Sequence, residues 1–284
     1  MRSILLLSCL LISACDASSA LTHPTKDTLM NPLTEIKANL AFTCVHEQIP
    51  VPSSDSEILF QYARWLQKNN QLKRDKSVDT EIERLYRIAS ENENYKANIN
   101  LQNGAMRGHF TVRGEEHLRM SQQLIDAGVA TGYFYTGNFL SSGSAGLKQD
   151  AEMALRYYRK AADQGNAEAQ VYVSNILAPA DIAPDVARQM RRCAAEQGNG
   201  KAARALGVNL STKGRYQEAL DAFQLGIAAG DETSASFLSK GFRGPKEDDR
   251  MYYLGQQEDL ERSERDAQIW RVLANYSYAN PTVP

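Results

Sequence analysis

Apolar residues recur along this chain at helical spacing, in units of similar length. Ala151, Ala154, Leu155, Tyr158, Ala161 and Ala162 fall on one helix face. Asp150 before them suits an N-cap, because its carboxylate can accept a backbone N–H that a helix start leaves unpaired. Gly165 after them supplies the left-handed conformation that ends a helix. Ala169, Tyr172, Val173, Ile176 and Leu177 then start a second stripe. Alanines let two helices approach closely, and the tyrosine fills the gap between layers.

The unit returns. Arg156–Ala169 (RYYRKAADQGNAEA) is matched by Met190–Ala202 (MRRCAAEQGNGKA) and more loosely by Leu85–Glu91 followed by Tyr95–Ala97. Weaker copies end at Gly128 and Gly230, so glycines 128, 165, 198 and 230 lie 37, 33 and 32 residues apart. A helix pair fits that period. One pair cannot bury its stripe, so stacked neighbours must supply the core. The expected fold is all-α, an α/α superhelical solenoid over residues 78–242. Near residue 180, Ala178–Asp185 (APADIAPD) interrupts the turn pattern.

The flanks read as caps. In residues 35–77, Ile49-Pro50-Val51-Pro52 must be extended or turning. Ser54-Asp55-Ser56-Glu57 is a capping-box pattern opening a helix over 55–70. Ile58, Leu59, Tyr62, Trp65 and Leu66 share a face that is expected to pack. Residues 243–284 are expected to form a C-terminal cap of two helices, Asp248–Gly255 and Asp259–Tyr276. Ile269, Trp270, Leu273 and Tyr276 would be the packing edge of the second, and Asn280–Pro284 a loose end.

The first residues follow a different pattern. Arg2, an apolar run from Ile4 to Ile12, and Ser13-Ala14-Cys15 form a basic n-region, a short h-region and a small-residue cleavage site. The run is too short for a membrane span, which needs about 20 residues. Ile12-Ser13-Ala14-Cys15 resembles the lipobox of bacterial lipoproteins. The resemblance implies a signal peptide over 1–14, acylation of Cys15, and a periplasm-facing, lipid-anchored protein. Asp16 resembles an inner-membrane retention signal, with the outer membrane left open. Residues 15–34 read as a polar tether.

Composition narrows the function. The 284 residues carry 32 basic and 34 acidic side chains, a net charge of −2, so no broad basic front invites nucleic acid. Of four cysteines, Cys9 leaves with the signal and Cys15 is the lipid site. Cys44 and Cys193 remain, as a disulfide in an oxidising compartment or as two buried thiols. His23, His46, His109 and His117 make no metal spacing, and Cys44-x-His46-Glu47 lacks a second pair. Neither a nucleophile elbow nor a phosphate loop is present. The expectation is therefore no catalytic residue, no metal, no cofactor, and function by binding. Tyr133, Phe134, Tyr135, Tyr157, Tyr158 and Tyr172 make an aromatic middle, mostly core. Tyr133, Tyr135 and Tyr172 are the candidates for a partner-binding concave face.

Gly143, Gly146, Asp150, Ala154, Tyr157, Tyr158, Lys160, Ala161, Ala162, Gln164, Gly165 and Ala169 resemble the SEL-like repeat, a tetratricopeptide-like helix pair. More widely, Phe42–Glu47, Leu101–Gly108, Cys193–Gly200, Gly241–Pro245 and Leu273–Pro281 resemble SEL-like lipoproteins that act as type VI secretion immunity proteins. That resemblance implies a protein partner, a secreted lipase or phospholipase effector neutralised by steric occlusion. An envelope adaptor built on the same repeats is the alternative. SEL-like proteins linked to β-lactam hydrolysis carry paired cysteines in each repeat, whereas here only Cys193 lies in a repeat motif.

Overall fold

The computed structural model describes residues 41–179 and 182–276, which belong to one compact unit. The signal peptide, Cys15, Asp16, His23, the tether and Asn280–Pro284 lie outside the described residues. Among the described residues there are twelve helices and no strand. They are α1 (Ser54–Asn70), α2 (Lys76–Glu91), α3 (Tyr95–Met106), α4 (Glu115–Asp126), α5 (Thr131–Ser142) and α6 (Ala151–Asp163). They continue as α7 (Ala167–Leu177), α8 (Pro184–Glu196), α9 (Gly200–Ser211), α10 (Tyr216–Ala228), α11 (Glu232–Gly241) and α12 (Leu260–Tyr276). Each helix packs on its neighbours in sequence. Five pairs, α2–α3 to α10–α11, form the array, with α1 before and α12 after. This is an all-α solenoid of SEL-like helix pairs.

Local chemistry repeats with the pairs. Gly165, Gly198 and Gly230 take positive φ after α6, α8 and α10. An Asx residue follows each and caps the next helix: Asn166 accepts from Ala169 N–H, Asn199 from Ala202 N–H and Asp231 from Ser234 N–H, at 2.8–3.0 Å. Asn94 does the same for α3 through Ala97 N–H. Such a cap contributes about 1 kcal/mol. The capped turn also brings alanine to the helix–helix contact, where Ala97, Ala169 and Ala202 are fully buried. Tyr158 lies so close to α5 that a Cβ on Gly137 would meet its ring at 2.8 Å.

The core runs through the array as successive clusters, one under each group of neighbouring helices. In α6 the predicted stripe is the buried one at Ala154, Tyr158, Ala161 and Ala162, while Ala151 is exposed.

Four expectations at the ends are corrected. The N-cap of α1 is Ser53, which accepts from Ser56 N–H, one residue earlier than the capping-box pattern implied. The buried face of α1 is Phe60 and Ala63; Ile58, Tyr62 and Trp65 point outward. Asp248–Gly255 is not a helix. Asp249 Oδ1 accepts from the N–H groups of Met251 and Tyr252, a local side-chain turn that competes with helix. In α12 the packed positions are Ser263, Asp266 and Leu273, with Ile269 partly buried. Trp270 and Tyr276 stay exposed because the helix docks one step around its axis from that edge.

Candidate protein-binding surface

The helix order leaves one edge of the array lined by the turns that join first to second helices. The chain's own N-terminal segment lies there. Residues 41–53 form neither helix nor strand, yet the part up to Ile49 is held at several points. Arg159 donates to the Ala41 carbonyl at 2.8 Å, and Gln170 Nε2 to the Val45 carbonyl at 3.1 Å. Glu47 N–H donates to Gln197 Oε1 at 3.0 Å. Phe42 packs on the α6–α8 core, and Ile49 on the α4–α5 core. Cys44 and Cys193 form a disulfide with a Cα–Cα distance of 5.5 Å, joining this strap to α8.

Glu47 explains a local anomaly. Helix α5 begins after Val129-Ala130, where the other turns have an Asx cap, and Ala130 offers no side-chain acceptor. Glu47 supplies it from 84 residues away: Thr131 N–H donates to Oε1 at 2.5 Å and Thr131 Oγ1 to Oε2 at 3.0 Å. Asn166 Nδ2 donates to the same carboxylate at 3.2 Å. The negative charge also sits well at a helix N-terminus. Gly165 passes beneath with φ +99°, and a Cβ there would lie 2.5 Å from Glu47 N. The glycine therefore ends a helix and admits the strap together.

Cys44, His46 and Cys193 place three ligand-type atoms within 4.8 Å of one another. The two sulfurs are bonded to each other, so neither is the thiolate a metal takes. His46 lies 3.8 Å from Glu196 at the surface, and His109 lies 3.7 Å from Asp79. His117 is buried against Phe139, and burial lowers its pKa.

The tyrosine candidates separate. Tyr135 is corrected: it is 3% exposed, its hydroxyl donates to the Ile99 carbonyl, and burial raises its pKa. Its side chain is core and cannot meet a partner. Tyr133 is half-buried against Tyr157. Tyr172 is 40% exposed and rests on Tyr158, with ring centroids 4.1 Å apart. A larger apolar feature lies on α1, where Ile58 is 64%, Tyr62 50% and Trp65 58% exposed. Tyr62 and Trp65 stack at 5.9 Å. Spacing predicts that this stripe packs, whereas Phe60 and Ala63 take the core side of the helix, with Leu59 and Leu66 partly buried beside them. No helix among the described residues is long and apolar enough to cross a membrane.

Among the described residues the chain is a SEL-like solenoid with a strapped edge and an aromatic outer helix. Solved structures share the fold. The immunity protein Pa5087 from Pseudomonas aeruginosa aligns over 86% of this chain and 90% of its own, with a TM-score of 0.65 and 22% identity. The immunity protein PA5088 from Pseudomonas aeruginosa aligns over 83% and 88%, with a TM-score of 0.63 and 22% identity. A Sel1 repeat protein from Oxalobacter formigenes aligns over 77% and 87%, with a TM-score of 0.51 and 19% identity. A family model described as a domain of unknown function (DUF6396) matches residues 234–284, from α11 to the C-terminus. No curated protein matches the sequence.

Proposed function

We propose that this protein is an immunity protein: a periplasm-facing lipoprotein that binds a cognate type VI secretion lipase or phospholipase effector and blocks it by occlusion. The observation that carries the reading is the shared fold with two immunity proteins across most of the array. The lipid anchor and the nature of the effector come from the sequence resemblances at Cys15 and along the chain.

The physics agrees with a binding role. A strapped array is already ordered, so association loses little conformational entropy. The exposed aromatics on α1 and Tyr172 are the side-chain types that dominate binding energy when a partner buries them. A tight complex buries about 1,600 Å² or more. An acylated Cys15 would keep the inhibitor in the layer a lipase must reach, which raises its effective concentration there. In this reading the protein acts by shape and turns over no substrate.

Co-expression with a periplasmic lipase effector, sought among neighbouring genes, tests the proposal. Restored growth, with the two proteins purifying as one complex, is the expected result. Continued killing with no complex would refute the pairing.

A further inference from the structure

Between α1, α2 and α3 lies a cleft of about 240 Å³. Arg64 on α1, Arg74 in the following turn and Arg107 at the end of α3 all line it. Most arginines of the array are paired, for example Arg84 with Glu81, Arg87 with Glu83 and Glu116, and Arg204 with Asp231. These three are not: among the described residues no carboxylate lies within 4.0 Å of their guanidinium groups. Arg64 donates to the neutral amide of Gln67 and also bonds the Tyr86 hydroxyl, both uncharged partners. Asn100 and Asn103 add amide groups to the lining.

The charges do not cancel. Helices α1 and α3 both end at the cleft, and each C-terminus is equivalent to about half a negative charge. Asp79, the one carboxylate in the lining, adds another and is already engaged by Asn70 Nδ2 at 2.8 Å. Three guanidiniums outweigh these, and His109 beside Asp79 adds positive charge whenever it is protonated. Arg74 also has φ +52°, a left-handed conformation that a non-glycine residue holds at a cost in strain. A packed end-cap needs neither a strained arginine nor surplus charge.

We propose that this cleft is a binding site for a phosphate group, borne by a lipid headgroup or free in solution. Guanidinium groups suit oxyanions because each presents a planar fork of donors. A carboxylate is planar and is satisfied by one fork. Three forks reaching in from three separate segments instead match an anion that accepts from several directions. The proposal is independent of the immunity reading.

The test uses the full chain with Cys15→Ser, so that no acyl chain holds it to lipid. Inorganic phosphate is titrated at low ionic strength, with acetate in parallel, and binding is read by calorimetry. Saturable binding of phosphate over acetate is expected, weakened at least ten-fold in Arg64→Gln and Arg107→Gln and unchanged in Arg271→Gln on α12. Circular dichroism checks that each variant is folded. Sedimentation with phosphatidylglycerol vesicles, against phosphatidylcholine vesicles, identifies the source. Arg107-dependent pelleting points to a headgroup, and phosphate binding without pelleting to a soluble ligand. Acetate bound as well as phosphate, or phosphate binding indifferent to both arginines, would overturn the proposal. So would loss of effector capture in the arginine variants of a chain that binds no phosphate, since the cleft would then receive an acidic side chain of the partner.

Discussion

Around α5–α8 the turn-lined edge of the array is covered by the chain's own residues 41–49, whereas at the N-terminal end α1 turns Ile58, Tyr62 and Trp65 to solvent. The covered edge is held by polar groups from several elements. Glu47 caps α5, Gln170 and Gln197 hold the strap backbone, and Cys44 fixes it to α8. The open end has apolar groups without cover and a cleft with surplus positive charge. Covering consolidates the fold and removes that edge from use. What a partner or ligand can still reach is therefore concentrated where the strap does not run.

Removing the disulfide tests the covered region most severely. Cys44 and Cys193 are 149 residues apart in sequence. Closing so long a loop in the unfolded chain is worth roughly 3–5 kcal/mol. Cys44→Ser/Cys193→Ala should lower stability by that amount, read from the urea midpoint. An unchanged midpoint would mean that the non-covalent contacts hold the strap alone.

The C-terminal cap gives the next effect, with opposite sign. Asp266 is buried in α12, and Oδ2 has no hydrogen-bond partner. Burial pushes its carboxyl from 3.8 up to about 6, against the opposing pull of Arg262 and Arg265. The folded state then holds the proton more tightly than the unfolded one. That stabilisation is complete below pH 3.8 and is lost as pH rises through about 6. Asp266→Asn should stabilise the protein at pH 7 by up to about 3 kcal/mol and flatten stability between these pH values. Denaturation across pH 4–7 checks it. A parallel pH dependence in the variant would remove Asp266 as the cause.

Glu47→Ala leaves Thr131 N–H and its hydroxyl without their acceptor at a buried helix start. The expected loss is about 1–3 kcal/mol, with faster exchange of the Thr131 amide. Gly165→Ala should act on the same contact by pushing the strap away, so the two losses should not add. Full additivity would show that the strap does not couple them.

The smallest stability effect is expected on α1. Ile58→Ser and Trp65→Ser should shift stability by less than about 0.5 kcal/mol, as exposed substitutions usually do, while weakening capture of the effector in a pull-down. Intact capture in both variants would move the interface off this face.

The repeat was legible because its signals are local. Alanine at helical spacing, a left-handed glycine and an Asx cap act within one turn, and Gly165-Asn166, Gly198-Asn199 and Gly230-Asp231 announce both helices they separate. The cap of α5 was not legible, since its acceptor lies 84 residues upstream. On α1 the spacing marked the stripe through Ile58, Tyr62 and Trp65, but Phe60 and Ala63 pack instead, because the neighbouring helices decide which face is covered. Asp248–Gly255 misled because its helix-compatible residues form a side-chain turn at Asp249 instead.

By itself the sequence determined a succession of helix pairs, their turns and the alanine–tyrosine faces that stack, because those depend on residues within one or two helical turns of each other. Only the tertiary structure decided which stripe of α1 is buried, that Tyr135 is core while Tyr172 is open, where the strap lies, and that Arg64, Arg74 and Arg107 converge on one cleft. Each of these depends on groups brought together from distant or separate segments, and their contact is set by the stacking of the array.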